Sequence, residues 1–172
     1  MRERYDLPTD DVAADMYELI VEKMAENGFV HYEISNFARA GYESRHNSKY
    51  WSLDEYIGAG LAAHSDFGGV RRENTKDLPD YISGKRVLSK QKISDAEREE
   101  EYIMLGLRTK KGISVSEFSE IFGKDLFDRL GKKLEPFCEQ GLVICDGDRI
   151  YLSEGGLEVS NYILSELLEF DY

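Results

Sequence analysis

The sequence predicts an α+β fold with a winged-helix domain at its C-terminal end, and two observations carry that prediction. From Ser94 onward three helical segments are followed by a hairpin, and before Ser94 an amphipathic helix runs almost directly into a β-rich segment. Helix, helix, helix, hairpin is the order of a winged helix, whereas a helix leading at once into a strand is the unit of an α/β sheet. The expected division is 1–75, 76–93 as a connector, and 94–172 as the winged helix.

The first helix is expected from Asp10 to Asn27. Val12, Met16, Ile20 and Met24 recur at every fourth position with Ala13 and Tyr17 beside them, which makes one face apolar. Asp10 and Asp11 suit the positive end of the helix dipole, and Gly28 can take the left-handed conformation that closes the last turn. Phe29 to Ile34 is β-branched and aromatic and is expected to be a strand. Ser35 to Trp51 reads as irregular, and Tyr56 to Ala63 as a second strand rich in small residues, which would let another backbone or a ligand come close. Gly68-Gly69 opens a polar segment, and Asp77 to Ser83 is at best a short helix.

In the C-terminal half a helix is expected from Ser94 to about Arg108. Ser114 and Glu117 have the spacing of a capping box, and Gly123 ends the short helix that they open. A third helix carries Leu126, Leu130 and Leu134 at every fourth position, with Phe127 and Phe137 beside them. Leu142 to Cys145 and Arg149 to Leu152 flank Asp146-Gly147-Asp148, a strong turn signal. A last helix from about Gly156 to Phe170 presents Val159, Ile163 and Leu167 on one face.

Composition excludes several classes of function. With 41% hydrophobic residues, no apolar run approaches the roughly 18 that a spanning helix needs. The opening MRERYDLPTDD has no apolar core and does not read as a secretory signal, so a cytoplasmic setting is expected. A formal net charge of −12 repels a phosphate backbone and argues against nucleic acid as a partner. Lys124, Arg129, Lys132 and Lys133 alternate with Asp125, Asp128 and Glu135 on the third helix of the winged helix, which suits packing or a lid better than DNA. Glu97 to Glu101 reads as a solvated helix face. Cys138 and Cys145, on a helix and the strand after it, lack any metal-ligand spacing and are expected to be reduced structural thiols.

The chemistry concentrates in Tyr32–Gly41, Arg45–Trp51 and Tyr56–Ser65, which together hold His46, His64 and the single tryptophan, Trp51. On the expected fold these lie at the C-terminal ends of two strands, where α/β barrels place their active sites. Each residue also has a plainer reading. His46 and Asn47 can simply cap a turn, Tyr50 and Trp51 can be packing aromatics, and His31 alternates with Val30 and Tyr32 as a structural or solvent-facing histidine. His64 beside Ser65 invites a nucleophile reading, but no acid is placed to complete a triad. Gly58 and Gly60 are not a dinucleotide fingerprint, because no helix start follows.

The ordered motifs YEISNFAR, HNxxYW and YxGxG followed by AHS resemble those of the radical S-adenosylmethionine (SAM) family of oxygen-independent coproporphyrinogen III oxidase-like proteins, and HNxxYW resembles its haem chaperone branch. The resemblance implies a partial (βα)6 barrel with a [4Fe–4S] cluster on a CxxxCxxC loop and SAM on its unique iron, followed by a winged helix. It makes this chain the C-terminal portion, with Asp10 to Ile34 among the last barrel elements, with cluster and SAM only in the full-length parent and no turnover of its own. Ala38 matches the position that contacts SAM through its backbone. His46, Asn47, Tyr50 and Trp51 match the haem motif, with His46 as the axial ligand to haem iron. Ser44 stands where many relatives have cysteine and Ala62 where a third glycine falls, the latter expected to add only one methyl in a strand.

The implied function is haem binding and delivery in tetrapyrrole metabolism. The alternatives are a fragment of a true oxidase, which would decarboxylate propionates oxidatively, and a winged-helix nucleic-acid module. The expected partners are haem or a porphyrin and the missing barrel segment. The two N-terminal strands are expected to pair with each other or with a second copy through their exposed edges.

Overall fold

The computed structural model describes residues 7–168. Helix α1 (Asp10–Glu26) starts at Thr9, whose side chain accepts the Val12 N–H, and is followed by Gly28 at φ +78°. Its apolar stripe forms as the spacing predicts, but no residue of the helix is buried and Val12, Met16, Leu19 and Ile20 are each about half exposed. Tyr17 ties the helix down, its hydroxyl 3.2 Å from the Ile34 carbonyl and 3.3 Å from His31 Nε2.

Strand β1 (Val30–Glu33) turns back at once into β2 (Asn36–Ala38) as an antiparallel hairpin. The fully buried Glu33 carboxylate holds that turn, accepting the Ser35 N–H at 3.0 Å and the Asn36 side-chain amide. On its other edge β1 bonds the segment after residue 107, with Ile34 N donating to Arg108 O at 2.9 Å and Lys110 N to Tyr32 O at 3.1 Å. These bonds fix the N-terminal hairpin to the C-terminal unit.

The region expected to be irregular therefore contains β2 and also α2 (Arg45–Trp51), capped by Ser44. The expected strand 56–63 is not formed. Tyr56 makes a single antiparallel bridge to Asp66, Ile57 to Ala63 is loop, and the strand in this region is β3 (His64–Phe67). Small residues carry weak β preference, and this loop uses them for backbone shape: Gly60 lies at φ +113° and Ala62 at φ +56°. Ala62 is thus in the left-handed region, so its cost is conformational, roughly 1 kcal/mol, rather than the crowding of one methyl in a strand. With 56–63 a loop, the expected pairing of two N-terminal strands is overturned; β1 pairs with β2 instead.

β3, β4 (Val70–Asn74) and β5 (Val87–Lys92) form a three-stranded antiparallel sheet in that order. Neither β4 nor β5 was legible as a strand, because Val70-Arg-Arg-Glu-Asn74 and Val87-Leu-Ser-Lys-Gln-Lys92 are mostly polar, β4 being half-buried and β5 exposed throughout. Helix α3 (Leu78–Ile82), capped by Asp77, joins them as expected.

Helix α4 (Asp95–Gly106) opens with a complete capping box, Ser94 and Glu97 each bonding the other's backbone. Then follow β6 (Ile113–Ser114), α5 (Val115–Phe122), α6 (Leu126–Glu139), β7 (Val143–Asp146) and β8 (Arg149–Leu152), with sheet order β6-β8-β7. The predicted Leu126, Leu130, Leu134 and Phe137 are buried here with Ile103, Phe118 and Ile150. The expected single last helix is two, α7 (Glu154–Glu158) and α8 (Ser160–Leu167), broken at Val159. Ile163 and Leu167 are buried as expected, whereas Val159 at the break is exposed; Phe170 lies outside the described residues. Gly156 permits the close approach of α7 to the residue before β7, since a Cβ there would lie 2.0 Å from the Leu142 carbonyl oxygen.

Glu99 corrects the reading of the 97–101 run as a solvated face. It is 3% exposed, and its carboxylate takes Lys124 Nζ on one oxygen and Arg129 Nε on the other, the latter at 3.0 Å. Lys124, just ahead of α6, and Arg129 within it are therefore joined to α4 and do not form a free basic patch.

Cys138 and Cys145 are free thiols with their sulfurs 3.7 Å apart across α6 and β7. Burial, then the bond with Cys138, pushes the Cys145 thiol up to about 11. Thiolate is the reacting form, so alkylation of Cys145 by iodoacetamide at pH 7 is expected to run on the order of 100-fold slower than for an unperturbed thiol. Mass-spectrometric labelling kinetics check this, and a rate within threefold of free cysteine would contradict it.

Candidate functional site

The HNxxYW residues lie on one short helix, not in a loop. Ser44 Oγ accepts the Asn47 N–H at 3.2 Å and starts α2, a role that its type and position ahead of the motif made readable. With 3.6 residues per turn, His46 and Tyr50 share one stripe and Asn47 and Trp51 the next. The first stripe faces outward: His46 is exposed, its ring 5.0 Å from Tyr50 and perpendicular to it, with Nε2 3.4 Å from the Tyr50 hydroxyl. Tyr50 in turn packs edge-on against Tyr56 at 4.8 Å. An unbroken aromatic run thus leads from His46 through Tyr50 to Tyr56.

The second stripe faces inward, towards a cavity of about 400 Å³ between α2, β3 and α4. Asn47, Tyr50, Trp51 and Tyr56 line it together with Met104 and Arg108. His46 is not on the lining, so the structure brings three of the four motif residues to the cavity and leaves the histidine at the outer end of the aromatic run. Burial raises the Tyr56 phenol, which stays protonated at neutral pH.

One wall of the cavity is an ion network that sequence reasoning missed. Asp66, 5% exposed, accepts two bonds from Arg98, at 2.7 and 3.0 Å, and one from Arg71 at 2.8 Å. Arg71 also binds Glu101 through two nitrogens, at 2.7 and 3.1 Å. The Arg98 guanidinium, joined by Arg71, outweighs burial and holds the Asp66 carboxyl below the usual carboxylate range. Both arginines are raised in turn, Arg71 chiefly by Glu101 and Arg98 by Asp66. The network pins the β3-β4 hairpin to α4 and so fixes the cavity's width. Its members are up to 32 positions apart and follow no periodicity, so nothing in the sequence marked them.

Two donors on the cavity lining stand out. Trp51 Nε1 and Arg108 Nε are both buried, and neither has a hydrogen-bond partner among the described residues. Trp51 also borders a second cavity of about 250 Å³, with Glu33 and Tyr102.

The remaining predicted residues fall elsewhere. Ala38 is buried on β2 opposite Val30. His31 is buried and stacked on Phe37 at 4.5 Å, with Nδ1 3.7 Å from Glu154, which is a structural placement. His64 is exposed, and Ser65 is buried with Oγ accepting the Gly58 N–H at 3.0 Å. Successive strand residues point to opposite faces, so the two do not form a nucleophile pair. Among the described residues no helix is long and apolar enough to cross a membrane, and no three His, Cys, Asp or Glu side chains converge as a metal site.

Residues 93–159 match the family model described as the HemN C-terminal domain. The chain is 36% identical to the Heme chaperone HemW of Lactococcus lactis over 94% of its own length and 44% of that protein's. It is 35% identical to the Heme chaperone HemW of Bacillus subtilis, over 96% of this chain and 45% of that one. Against the mitochondrial radical S-adenosyl methionine domain-containing protein 1 of Bos taurus the identity is 33%, over 94% of this chain and 40% of that one. The chain thus spans less than half the length of these relatives. Among solved structures, coproporphyrinogen III oxidase (HemN) from Escherichia coli, described as a radical SAM enzyme, aligns with a TM-score of 0.75 over 94% of this chain and 42% of that one. The identity there is 16%, so the match shows a shared mixed α/β fold alone.

Proposed function

We propose, from the premise that this chain belongs to the HemN-like family of radical SAM proteins as kin of the HemW haem chaperones, that it is the haem-handling C-terminal portion of such a protein. The observation that carries the reading is the geometry of α2. It presents an exposed imidazole at one end of an aromatic run and an aromatic-lined cavity at the other. Haem needs an axial ligand and apolar contact, which His46 and the edge-to-face Tyr50–Tyr56 pair supply. Bound haem would bring iron chemistry of its own. The residues' part is to hold and orient it: His46 as ligand, Tyr50 fixing the imidazole ring, and Asn47 and Trp51 shaping the floor behind.

The order α4, β6, α5, α6, β7, β8 with sheet order β6-β8-β7 supports reading the C-terminal unit as a winged helix used for packing. The half-exposed apolar stripe of α1 supports reading residues 10–34 as elements that pack against a barrel. Ala38 would offer its backbone to SAM from the edge strand β2. A [4Fe–4S] cluster does not fit this chain's own residues, since its two cysteines face each other across α6 and β7 with no third beside them. A cytoplasmic setting and a role in carrying rather than transforming haem complete the reading.

Haemin titration followed by visible absorbance tests it. The chain is expected to give a saturable Soret shift that His46→Ala weakens by about tenfold or more, with circular dichroism unchanged. Equal, weak binding by both proteins would overturn the assignment of His46 as ligand.

A further inference from the structure

The cavity behind α2 has a chemistry of its own. Its walls are largely apolar, from Tyr50, Trp51, Leu53, Tyr56, Met104 and Leu105. Three acids, Asp54, Asp66 and Glu101, and two arginines also line it, and the arginines differ in kind. Arg71 is already neutralised by Asp66 and Glu101, whereas among the described residues Arg108 binds a neutral amide alone, its Nη2 lying 3.1 Å from Asn161 Oδ1. The Arg108 Nε–H and the Trp51 indole N–H are buried without partners among the described residues, although both groups only donate and buried donors are almost always bonded. A half-buried guanidinium with no carboxylate partner among the described residues, and a second orphan donor on the same largely apolar cavity, call for an anionic acceptor attached to an apolar body.

We infer that this cavity is a carboxylate-reading subsite, with Arg108 and Trp51 as its donors, which accepts a tetrapyrrole through a free propionate. The inference rests on the haem reading above and adds to it which edge of the ligand is recognised. The His46–Tyr50–Tyr56 run covers the macrocycle, and the cavity at its inner end takes the acid side chain. Arg108 is held in place independently of any ligand, because its carbonyl accepts the Ile34 N–H at 2.9 Å and its guanidinium bonds Asn161. The Arg108 guanidinium is therefore positioned before binding, which is the arrangement that favours a ligand able to satisfy it over one that cannot.

The test compares haemin with haemin dimethyl ester, whose propionates cannot carry charge, on this chain and on Arg108→Gln, Trp51→Phe and His46→Ala. Trp51→Phe removes only the indole N–H and keeps a ring in place, so it stands in if the arginine variant fails to fold. Haemin is expected to bind about tenfold tighter than the ester, and each donor variant to close that gap by weakening haemin alone. His46→Ala should weaken both ligands together. Equal affinity for haemin and ester, or donor variants that weaken both alike, would overturn the subsite while an imidazole-dependent Soret shift leaves the haem reading standing. Absence of saturable binding of either ligand to the unmodified chain would bring down both.

Discussion

Asp66→Asn is expected to lower the unfolding free energy by about 3 kcal/mol, measured by urea denaturation at pH 7. The substitution keeps the shape of the side chain but removes the charge that two guanidiniums surround. Arg98 and Arg71 are then left beside each other with Glu101 as their shared carboxylate, and both keep part of their surface in water. That exposure places the loss at the low end of the roughly 3–5 kcal/mol typical when one member of a buried ion pair is removed. The effect also has a pH signature. A carboxylate whose folded pKa lies below its unfolded value of about 3.9 contributes stability that is fully present above the unfolded pKa and is lost as pH falls through the folded one. The stability difference between the native chain and Asp66→Asn should therefore be constant from about pH 7 to 5 and shrink below about pH 4. A difference that persists unchanged to pH 2.5 would show that the variant acts through packing and not charge.

Gly58→Ala should cost a similar amount, about 3 kcal/mol, and should open the cavity as well. A Cβ at this position would sit 2.0 Å from the His64 carbonyl oxygen, a contact with backbone that no rotamer change relieves. Moving residue 58 away breaks its bond to Ser65 and draws on Tyr56, which bridges Asp66 through two main-chain bonds of 2.8 and 3.0 Å. Tyr56 is both a wall of the cavity and the ring against which Tyr50 packs, so haemin affinity should fall together with stability. Gly60→Ala is the control. Residue 60 has φ +113° but open space around it, so the change should cost only backbone strain, about 1 kcal/mol. Equal losses at the two positions would show that close approach is not what the first glycine of the motif provides.

The three motifs are explained by different physics, and this decides how far each was legible. In YEISNFAR, Glu33 closes the hairpin turn within three residues of itself, a local role that its neighbours Ser35 and Asn36 complete. In HNxxYW the residue types pointed to a ligand and aromatic contacts, whereas the capping role of Ser44 was not read. The helix itself went unread because seven residues carry too little periodicity to be distinguished from a loop. In YxGxG the glycines suggested close backbone approach, and that is their use at Gly58, but in a loop rather than a strand. Arg108 and the Asp66 network were invisible because their meaning lies in partners distant along the chain.

The sequence by itself determined the first three helices and the hairpin of the C-terminal unit, though not the break in its last helix, because the spacing of apolar side chains every three or four positions, the capping Ser and the turn glycines act within a few residues. It also determined which stretch carries the chemistry. Only the tertiary structure decided that polar strands β4 and β5 belong to a sheet, that Glu99 is buried against Lys124 and Arg129, and that α2 sets His46 outside the cavity while Trp51 and Arg108 line it. The physical reason is the same in each case. A polar strand is defined by hydrogen bonds to its neighbours, and a buried charge or donor by the partner it meets, so neither can be recognised until the chain has been folded back on itself.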